Sequence, residues 1–128
     1  MDKTIEIAGP NFKLELCPKV FEGPSPYNMI LRANVVSNSF SINTEIDTGS
    51  LQFDDFKHQL IKMYNSLTGI AELTGNDNQK LVFEATRTGH IKIKGWLGRI
   101  LQEEDYKMSF TVEVDQTYLS KAMSNITD

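Results

Sequence analysis

Cysteine is almost absent from this chain, and so is any long apolar run. The single cysteine, Cys17, rules out an intramolecular disulfide, and its place on an alternating apolar segment predicts a buried free thiol. No segment approaches the roughly 18 apolar residues that a membrane-spanning helix needs. The first residues, Met1-Asp2-Lys3-Thr4-Ile5-Glu6, lack the apolar core of a signal peptide. The sequence therefore predicts a cytoplasmic protein with no membrane partner.

An excess of positive charge is also missing. Thirteen Lys and Arg residues stand against seventeen Asp and Glu residues, which gives a net charge of −4. Phosphate backbones repel a chain of this charge at long range, so nucleic acid is not an expected partner. A basic protein is compatible with the charge, although negative charge also serves solubility alone.

What the chain does contain is a repeated alternation of apolar and polar residues. Its 128 residues, 40% hydrophobic and 23% charged, suit a single domain over residues 1–128. Short turn signals such as Gly9-Pro10-Asn11 and Thr88-Gly89 separate the alternating runs and demand antiparallel pairing. About eight strands are predicted. Their apolar faces consist of Ile5, Ile7, Phe12, Leu14, Leu16, Met29, Leu31, Ala33, Val35, Phe40, Ile42, Thr44, Ile46, Ala71, Leu73, Leu81, Phe83, Ala85, Ile91, Ile93, Gly95, Leu97, Met108, Phe110, Val112 and Val114.

Two helices interrupt and close this run of strands. The first is predicted over about residues 51–68 and ends at Gly69, and the second over about 116–126. Asp115 is predicted to cap the second helix by accepting a hydrogen bond from its first turn. The buried stripe of the first helix contains Phe53, Phe56, Leu60, Met63, Tyr64 and Leu67, and its solvent side contains Asp54, Asp55, Lys57, Gln59 and Lys62. The order strands, helix, strands, helix predicts an α+β fold in which a mostly antiparallel sheet carries helices on one face.

No pattern in the sequence indicates catalysis. His58 is predicted to be exposed on the first helix, without a second metal ligand three or four residues away. His90 follows a turn, and no nucleophile adjoins it in the sequence. No glycine-rich segment matches a phosphate-binding loop. The sequence therefore predicts no enzyme and no catalytic, cofactor-binding or metal-binding residue. The alternative is a small enzyme that uses His90 with carboxylates folded beside it.

The only tryptophan, Trp96, is the clearest candidate for contact with a partner. It is predicted on the same strand face as His90, Lys92 and Lys94. Such a residue is either tucked under a loop or helix, or available to a partner. This small basic and aromatic face could also accept single-stranded nucleic acid, but the net charge of −4 disfavours that interpretation.

Several segments together resemble the WapI-type immunity proteins, a large family of small bacterial proteins. The resemblance covers about the last two thirds of the chain. It rests on four segments: Phe56-x-x-x-Leu60 continuing through Tyr64, Leu67-Thr68-Gly69-Ile70-Ala71-Glu72-Leu73, Gly89-His90-Ile91-Lys92-Ile93-Lys94-Gly95, and Asp115-Gln116-Thr117-Tyr118-Leu119. It implies a non-catalytic protein that binds and neutralises a cognate toxin domain.

An immunity protein needs a rigid scaffold and a complementary surface, and an acidic surface suits a basic nuclease toxin. The candidate partner-binding residues are Glu45, Asp47, Asp54, Asp55, Trp96, Glu103, Glu104 and Asp105. Among them, Asp54-Asp55 and Glu103-Glu104-Asp105 are predicted to be solvated charges on a helix and in a turn. The alternative is a structural or regulatory interaction module. Such a module could form a homodimer through an exposed sheet edge or through the Trp96 face.

Overall fold

Eight strands form two separate four-stranded antiparallel sheets. The structure, a computed structural model, describes residues 4–20, 28–38, 40–101 and 104–126. Sheet A contains β1 (Ile5–Gly9), β2 (Phe12–Val20), β3 (Met29–Ser37) and β4 (Phe40–Thr48), and sheet B contains β5 (Ile70–Thr74), β6 (Lys80–Ala85), β7 (His90–Leu101) and β8 (Glu104–Asp115). In both sheets, strands that follow each other in sequence lie side by side. The helices are α1 (Ser50–Ser66), α2 (Gln116–Ile126) and a short 3-10 helix, Asn76–Asn78.

The α+β class is confirmed, and the elements follow one another as four strands, α1, four strands and α2. The division into two sheets was not predictable from the sequence, because short hairpins determine which consecutive strands pair but not whether β4 and β5 join across a helix. The predicted bounds of α2 are confirmed, and α1 lies within two residues of its predicted bounds.

One cluster of buried side chains lies between the sheets and the helices. The predicted inner faces of β1, β2, β3 and β5 are buried throughout, as are Phe53 and Phe56 of α1. The Phe56 ring meets Phe83 of β6 edge to face at 5.6 Å between centroids. Phe12 of sheet A lies 6.1 Å from Phe110 of sheet B, so the two inner faces meet directly. Both helices and both sheets therefore contribute to the same core.

The ends of the helices agree only in part with the predictions. Asp115 caps α2, since its Oδ1 accepts a hydrogen bond from the Thr117 N–H at 2.9 Å. At the end of α1, Leu67 adopts the left-handed conformation (φ 59°), and Gly69 follows two residues later with φ 100°. The prediction that Gly69 itself ends the helix was therefore wrong. The start of α1 is capped by Asn28, whose Oδ1 accepts a hydrogen bond from the Ser50 N–H at 2.8 Å.

Lys57 does not lie on the solvent side of α1 as predicted. Only 11% of its side chain is exposed. Its Nζ lies 5.2 Å from the centre of the Phe53 ring and 3.6 Å from Asp54 Oδ1. Because Lys57 is four residues after Phe53, its aliphatic stem lies along the apolar stripe, and its charged end reaches toward the surface.

Candidate interaction surface

The solvent-facing side of sheet B carries Trp96 in an open position. The Trp96 residue is 44% exposed, which favours the interpretation that it is available to a partner. Lys80 lies directly across from it on β6. The Lys80 Nζ is 5.5 Å from the centre of the Trp96 ring and 3.5 Å from Glu72 Oε1 on β5. The lysine therefore stacks on one side of the indole and leaves part of the ring accessible.

Charged residues surround Trp96 in an ordered pattern, which we call the tryptophan face. It comprises ten of the outward residues of sheet B: Glu72, Lys80, Val82, Glu84, Lys92, Lys94, Trp96, Ser109, Thr111 and Glu113. Lys92 lies between Glu84 and Glu113 on the neighbouring strands, and Lys94 lies between Val82 and Thr111. The lysines thus form a central stripe with carboxylates on both sides, so the face is mixed in charge.

A shallow depression adjoins the Trp96 ring. Its volume is about 300 Å³, and it is lined by Asn78, Trp96, Leu97, Gly98, Lys107, Met108 and Ser109. Gly98 contributes no side chain to its wall, and the Gly98 N–H is held by Gln79 Oε1 at 3.1 Å. The depression has room for one or two side chains of a partner, next to an aromatic ring that can stack on them.

Two of the acidic candidates lie on sheet A. Glu45 projects from the outward side of β4, where its Oε2 is 3.8 Å from Arg32 Nη2 of β3. Asp47 lies two residues further on and is half-buried. Both belong to a different sheet from Trp96.

The remaining acidic candidates lie on α1 and at the turn between β7 and β8. Asp54 and Asp55 are exposed in the first turns of α1, and Asp54 pairs with Lys57. Glu103 lies outside the described residues. Glu104 and Asp105 belong to the start of β8, so the predicted turn is shorter than four residues, and their side chains lie outside the described part.

His90 does not form a catalytic pair among the described residues. Its Nδ1 lies 2.9 Å from Thr88 Oγ1, and its backbone N–H donates to Thr86 Oγ1 at 3.3 Å. Asp115 is across from His90 in the β7–β8 register. The hydrogen bond from the Thr117 N–H lowers the pKa of Asp115, with the charge of His90 as the smallest contribution. Asp115 therefore serves as a helix cap in its ionised form.

The other candidates for chemistry also lie apart. Cys17 is half-buried on the outward side of β2, across from Arg32, so the prediction of a buried thiol was wrong. His58 is exposed on α1 as predicted. Within the described ranges, no three His, Cys, Asp or Glu residues are grouped closely enough to hold a metal ion. In the same part of the chain, no helix has the length and apolarity needed to cross a bilayer.

Sequence reasoning found the face of Trp96 but missed some of its members. The alternation on β7 correctly grouped Lys92, Lys94 and Trp96. Lys80 and Glu72 were not among the predicted members, although they occupy the positions that alternate with the buried Leu81, Ala71 and Leu73. The polar half of each alternating run was therefore the signal that could have placed them.

Comparison with known proteins identifies one family. The family model of the immunity protein WapI-like family matches residues 5–128. This match is longer than the last two thirds of the chain, on which the resemblance in the sequence rests. No curated protein and no solved structure matches the chain significantly.

Proposed function

The chain belongs to the WapI-like immunity protein family, and from this premise we propose that it binds and neutralises a cognate toxin domain. Neutralisation of this kind requires no catalytic group. It requires a rigid surface that covers the active site of the toxin or blocks its assembly. Two antiparallel sheets that share one core with two helices support the proposal, because they form a rigid scaffold for such a surface.

The exposed Trp96 is the observation that carries this proposal. Tryptophan is among the residues that dominate binding energy at protein interfaces, because one rigid ring contributes a large apolar area and an N–H donor. Leaving Trp96 44% exposed forgoes hydrophobic stabilisation in the free protein. A partner that covers the ring would recover this hydrophobic stabilisation. The depression beside Trp96 would receive a side chain of the toxin.

The acidic residues away from Trp96 have a different role in this proposal. Asp54 and Asp55 are exposed, Glu45 is only partly covered by Arg32, and the net charge is −4. These charges would raise the rate at which a basic toxin domain meets the protein. They need not lie in the final interface, since long-range steering acts before contact. The association rate is then expected to fall as the salt concentration rises.

The experiment is co-expression of the chain with the toxin domain encoded beside it, followed by purification of the complex. The expected result is a stoichiometric complex and survival of the producing cells. Trp96→Ala should weaken binding by about 30-fold to 1000-fold, the usual cost of about 2–4 kcal/mol for an interface anchor. The control is Val36→Ala on sheet A, because Val36 is similarly exposed at 47%. Survival without a complex would refute the proposal, and equal effects of the two variants would refute the role of Trp96.

A further inference from the structure

Each sheet has two edge strands: β1 and β4 in sheet A, and β5 and β8 in sheet B. The outer edges of β1 and β5 lie against the helices of the chain. The outer edge of β1 lies against α2, where Asn125 Nδ2 donates a hydrogen bond to the Thr4 carbonyl at 2.9 Å. The outer edge of β5 lies against α1, where Gln59 Oε1 accepts from the Glu72 N–H at 2.9 Å. On each of these two edges, one backbone group that could otherwise bind another strand is therefore occupied.

The edge of β4 is bound near its C-terminal end by the segment around the short 3-10 helix. The Asp47 N–H donates to Asn76 Oδ1 at 2.9 Å, and the Glu45 carbonyl accepts from Gln79 Nε2 at 3.0 Å. Both groups are on the side of β4 that faces away from β3, as their register requires. Three of the four sheet edges are thus each bound at one or two positions by another part of the described chain.

The outer edge of β8 is the exception. The Gln116 N–H donates to the Gly89 carbonyl at 3.2 Å, which extends the β7–β8 register by one position. Because hydrogen-bonded pairs alternate along an antiparallel ladder, the even-numbered residues of β8 bond to β7. The odd-numbered residues from Lys107 to Glu113 point their N–H and C=O groups outward. Among the described residues, no hydrogen bond reaches these outward groups.

We propose that β8 pairs antiparallel with β8 of a second copy of this chain, with the two-fold axis at Thr111. This inference does not rest on the proposed toxin neutralisation. The pairing would join the two B sheets into one continuous eight-stranded sheet. It would satisfy the outward backbone groups on both copies at once, since residues 107, 109, 111 and 113 all present them on the same side.

The side chains on the outward face of β8 complement themselves in this register. Lys107 of one copy lies opposite Asp115 of the other, and Ser109 lies opposite Glu113. Thr111 meets its own equivalent on the axis. Each pairing occurs twice because of the symmetry, and opposite charges and hydroxyl pairs across strands are stabilising. All five residues are exposed in the single chain.

The inner face of β8 supports the same register. Met108, Phe110 and Val112 are only half-buried, unlike the fully buried inner residues of β6 such as Phe83. In the proposed pairing, Phe110 of one copy lies opposite Val112 of the other, and Met108 lies opposite Val114. Apolar side chains that the single chain leaves partly exposed would therefore cover one another.

The first test is crosslinking of single cysteine variants in a Cys17→Ser background. Thr111→Cys places the two thiols opposite each other across the axis, about 5.5 Å apart between Cα atoms. A short bismaleimide should join them. Ser109→Cys is the matched control, because four residues along the strand separate its two copies by about 14 Å. Crosslinking of Thr111→Cys alone supports the register, and crosslinking of both variants or of neither overturns it.

The second test uses proline, which removes one outward N–H without touching the β7–β8 ladder. Thr111→Pro should remain folded by circular dichroism, since proline is tolerated on an edge strand where its nitrogen faces away from the ladder. Its mass by sedimentation equilibrium should be that of a monomer at concentrations at which the original chain is a dimer. Thr111→Val retains the N–H and should remain a dimer. A folded Thr111→Pro dimer would overturn the proposal.

A different occupant of the edge would give a different result. If the original chain is a monomer at every concentration, and Thr111→Pro abolishes its complex with the toxin domain, then β8 receives a strand of the toxin. That result would overturn pairing between copies while leaving toxin neutralisation intact. Conversely, a dimer that depends on Thr111 in a protein that binds no toxin would support the pairing and refute the proposed function.

Discussion

The Thr44 hydroxyl on β4 donates a hydrogen bond to Gln79 Oε1, 3.1 Å away, and this contact joins the two sheets. The same oxygen accepts from the Gly98 N–H of β7 at 3.1 Å. The Gln79 Nε2 donates to the Glu45 carbonyl at 3.0 Å and to Asn76 Oδ1 at 3.1 Å. Gln79 is only 1% exposed, so a fully buried amide uses both its donors and both its acceptor positions to connect β4 with β7.

Replacing Gln79 with alanine should therefore destabilise the fold markedly. The change leaves buried donors at Thr44 and Gly98 and a buried acceptor at Glu45 without their partner, and each unsatisfied group costs about 1–3 kcal/mol. We expect a loss of about 3 kcal/mol in the free energy of unfolding, measured with urea. Gln59→Ala is the control, because Gln59 makes one exposed bond and should cost about 1 kcal/mol or less. Equal losses would contradict the bridging role.

Lys57 should contribute to stability through packing more than through charge. We expect Lys57→Ala to cost about 1–2 kcal/mol, because its stem is buried beside Phe53. Lys57→Met should recover most of that loss, since methionine retains the apolar stem. Lys62→Ala on the exposed side of α1 should be nearly neutral. Urea unfolding of the three variants provides the comparison. A methionine variant as unstable as the alanine variant would show that the ammonium group is what matters.

Glycine at position 67 should stabilise the protein. Leu67 is half-exposed and adopts the left-handed conformation at the end of α1, which costs a residue with a β-carbon about 1–2 kcal/mol. The greater freedom of glycine in the unfolded chain offsets part of this, so we expect a net gain of about 0.5 kcal/mol. Leu67→Ala retains the β-carbon and should show no gain. The melting temperatures of both variants test this, and a less stable glycine variant would indicate that contacts of the leucine side chain outweigh the backbone strain.

The cap at Asp115 should make the stability of the protein depend on pH in the acid range. The Thr117 N–H lowers the pKa of Asp115 in the folded state below its ordinary value of 3.8. The cap therefore contributes its full stabilisation above pH 3.8, and the contribution is lost as the pH falls through the lower, folded pKa. The melting temperature of Asp115→Ala should lie below that of the original chain at neutral pH, and the difference should shrink in strong acid.

The matched control for this cap is Asp115→Asn. The asparagine amide oxygen can accept the same hydrogen bond at every pH, because it does not titrate. The difference in melting temperature between the asparagine and alanine variants should consequently persist in acid. If the aspartate and asparagine proteins respond to acid in the same way, the titration of Asp115 does not control the stability of α2.

The strands were predictable because each signal lies within a few residues of the chain. Alternating apolar residues identified the inner face of β3, with Met29, Leu31, Ala33 and Val35 all buried. The Asp115 cap was predictable for the same reason, since its partner Thr117 is two residues away. By contrast, Asn28 caps α1 from 22 residues upstream, and no local pattern could reveal that contact.

The candidate surface was predictable only as a set of residues on one face. Alternation places Lys92, Lys94 and Trp96 together, but it is equally consistent with a covered or an open ring. The exposure of Trp96 depends on whether another element crosses sheet B, and the helices instead pack at β1 and β5. The burial of Lys57 is a similar case, because position on a helix does not determine what packs against it.

The sequence by itself determined the class of fold, the strands and their faces, the two helices and the family. These depend on interactions between residues that are close in the chain, where spacing alone decides which side chains share a surface. Only the tertiary structure decided that the strands divide into two sheets, that Gln79 joins them, and that no hydrogen bond from the described part of the chain reaches the outer edge of β8. Those outcomes depend on contacts between distant residues, such as Thr44 with Gln79, whose formation no local spacing specifies.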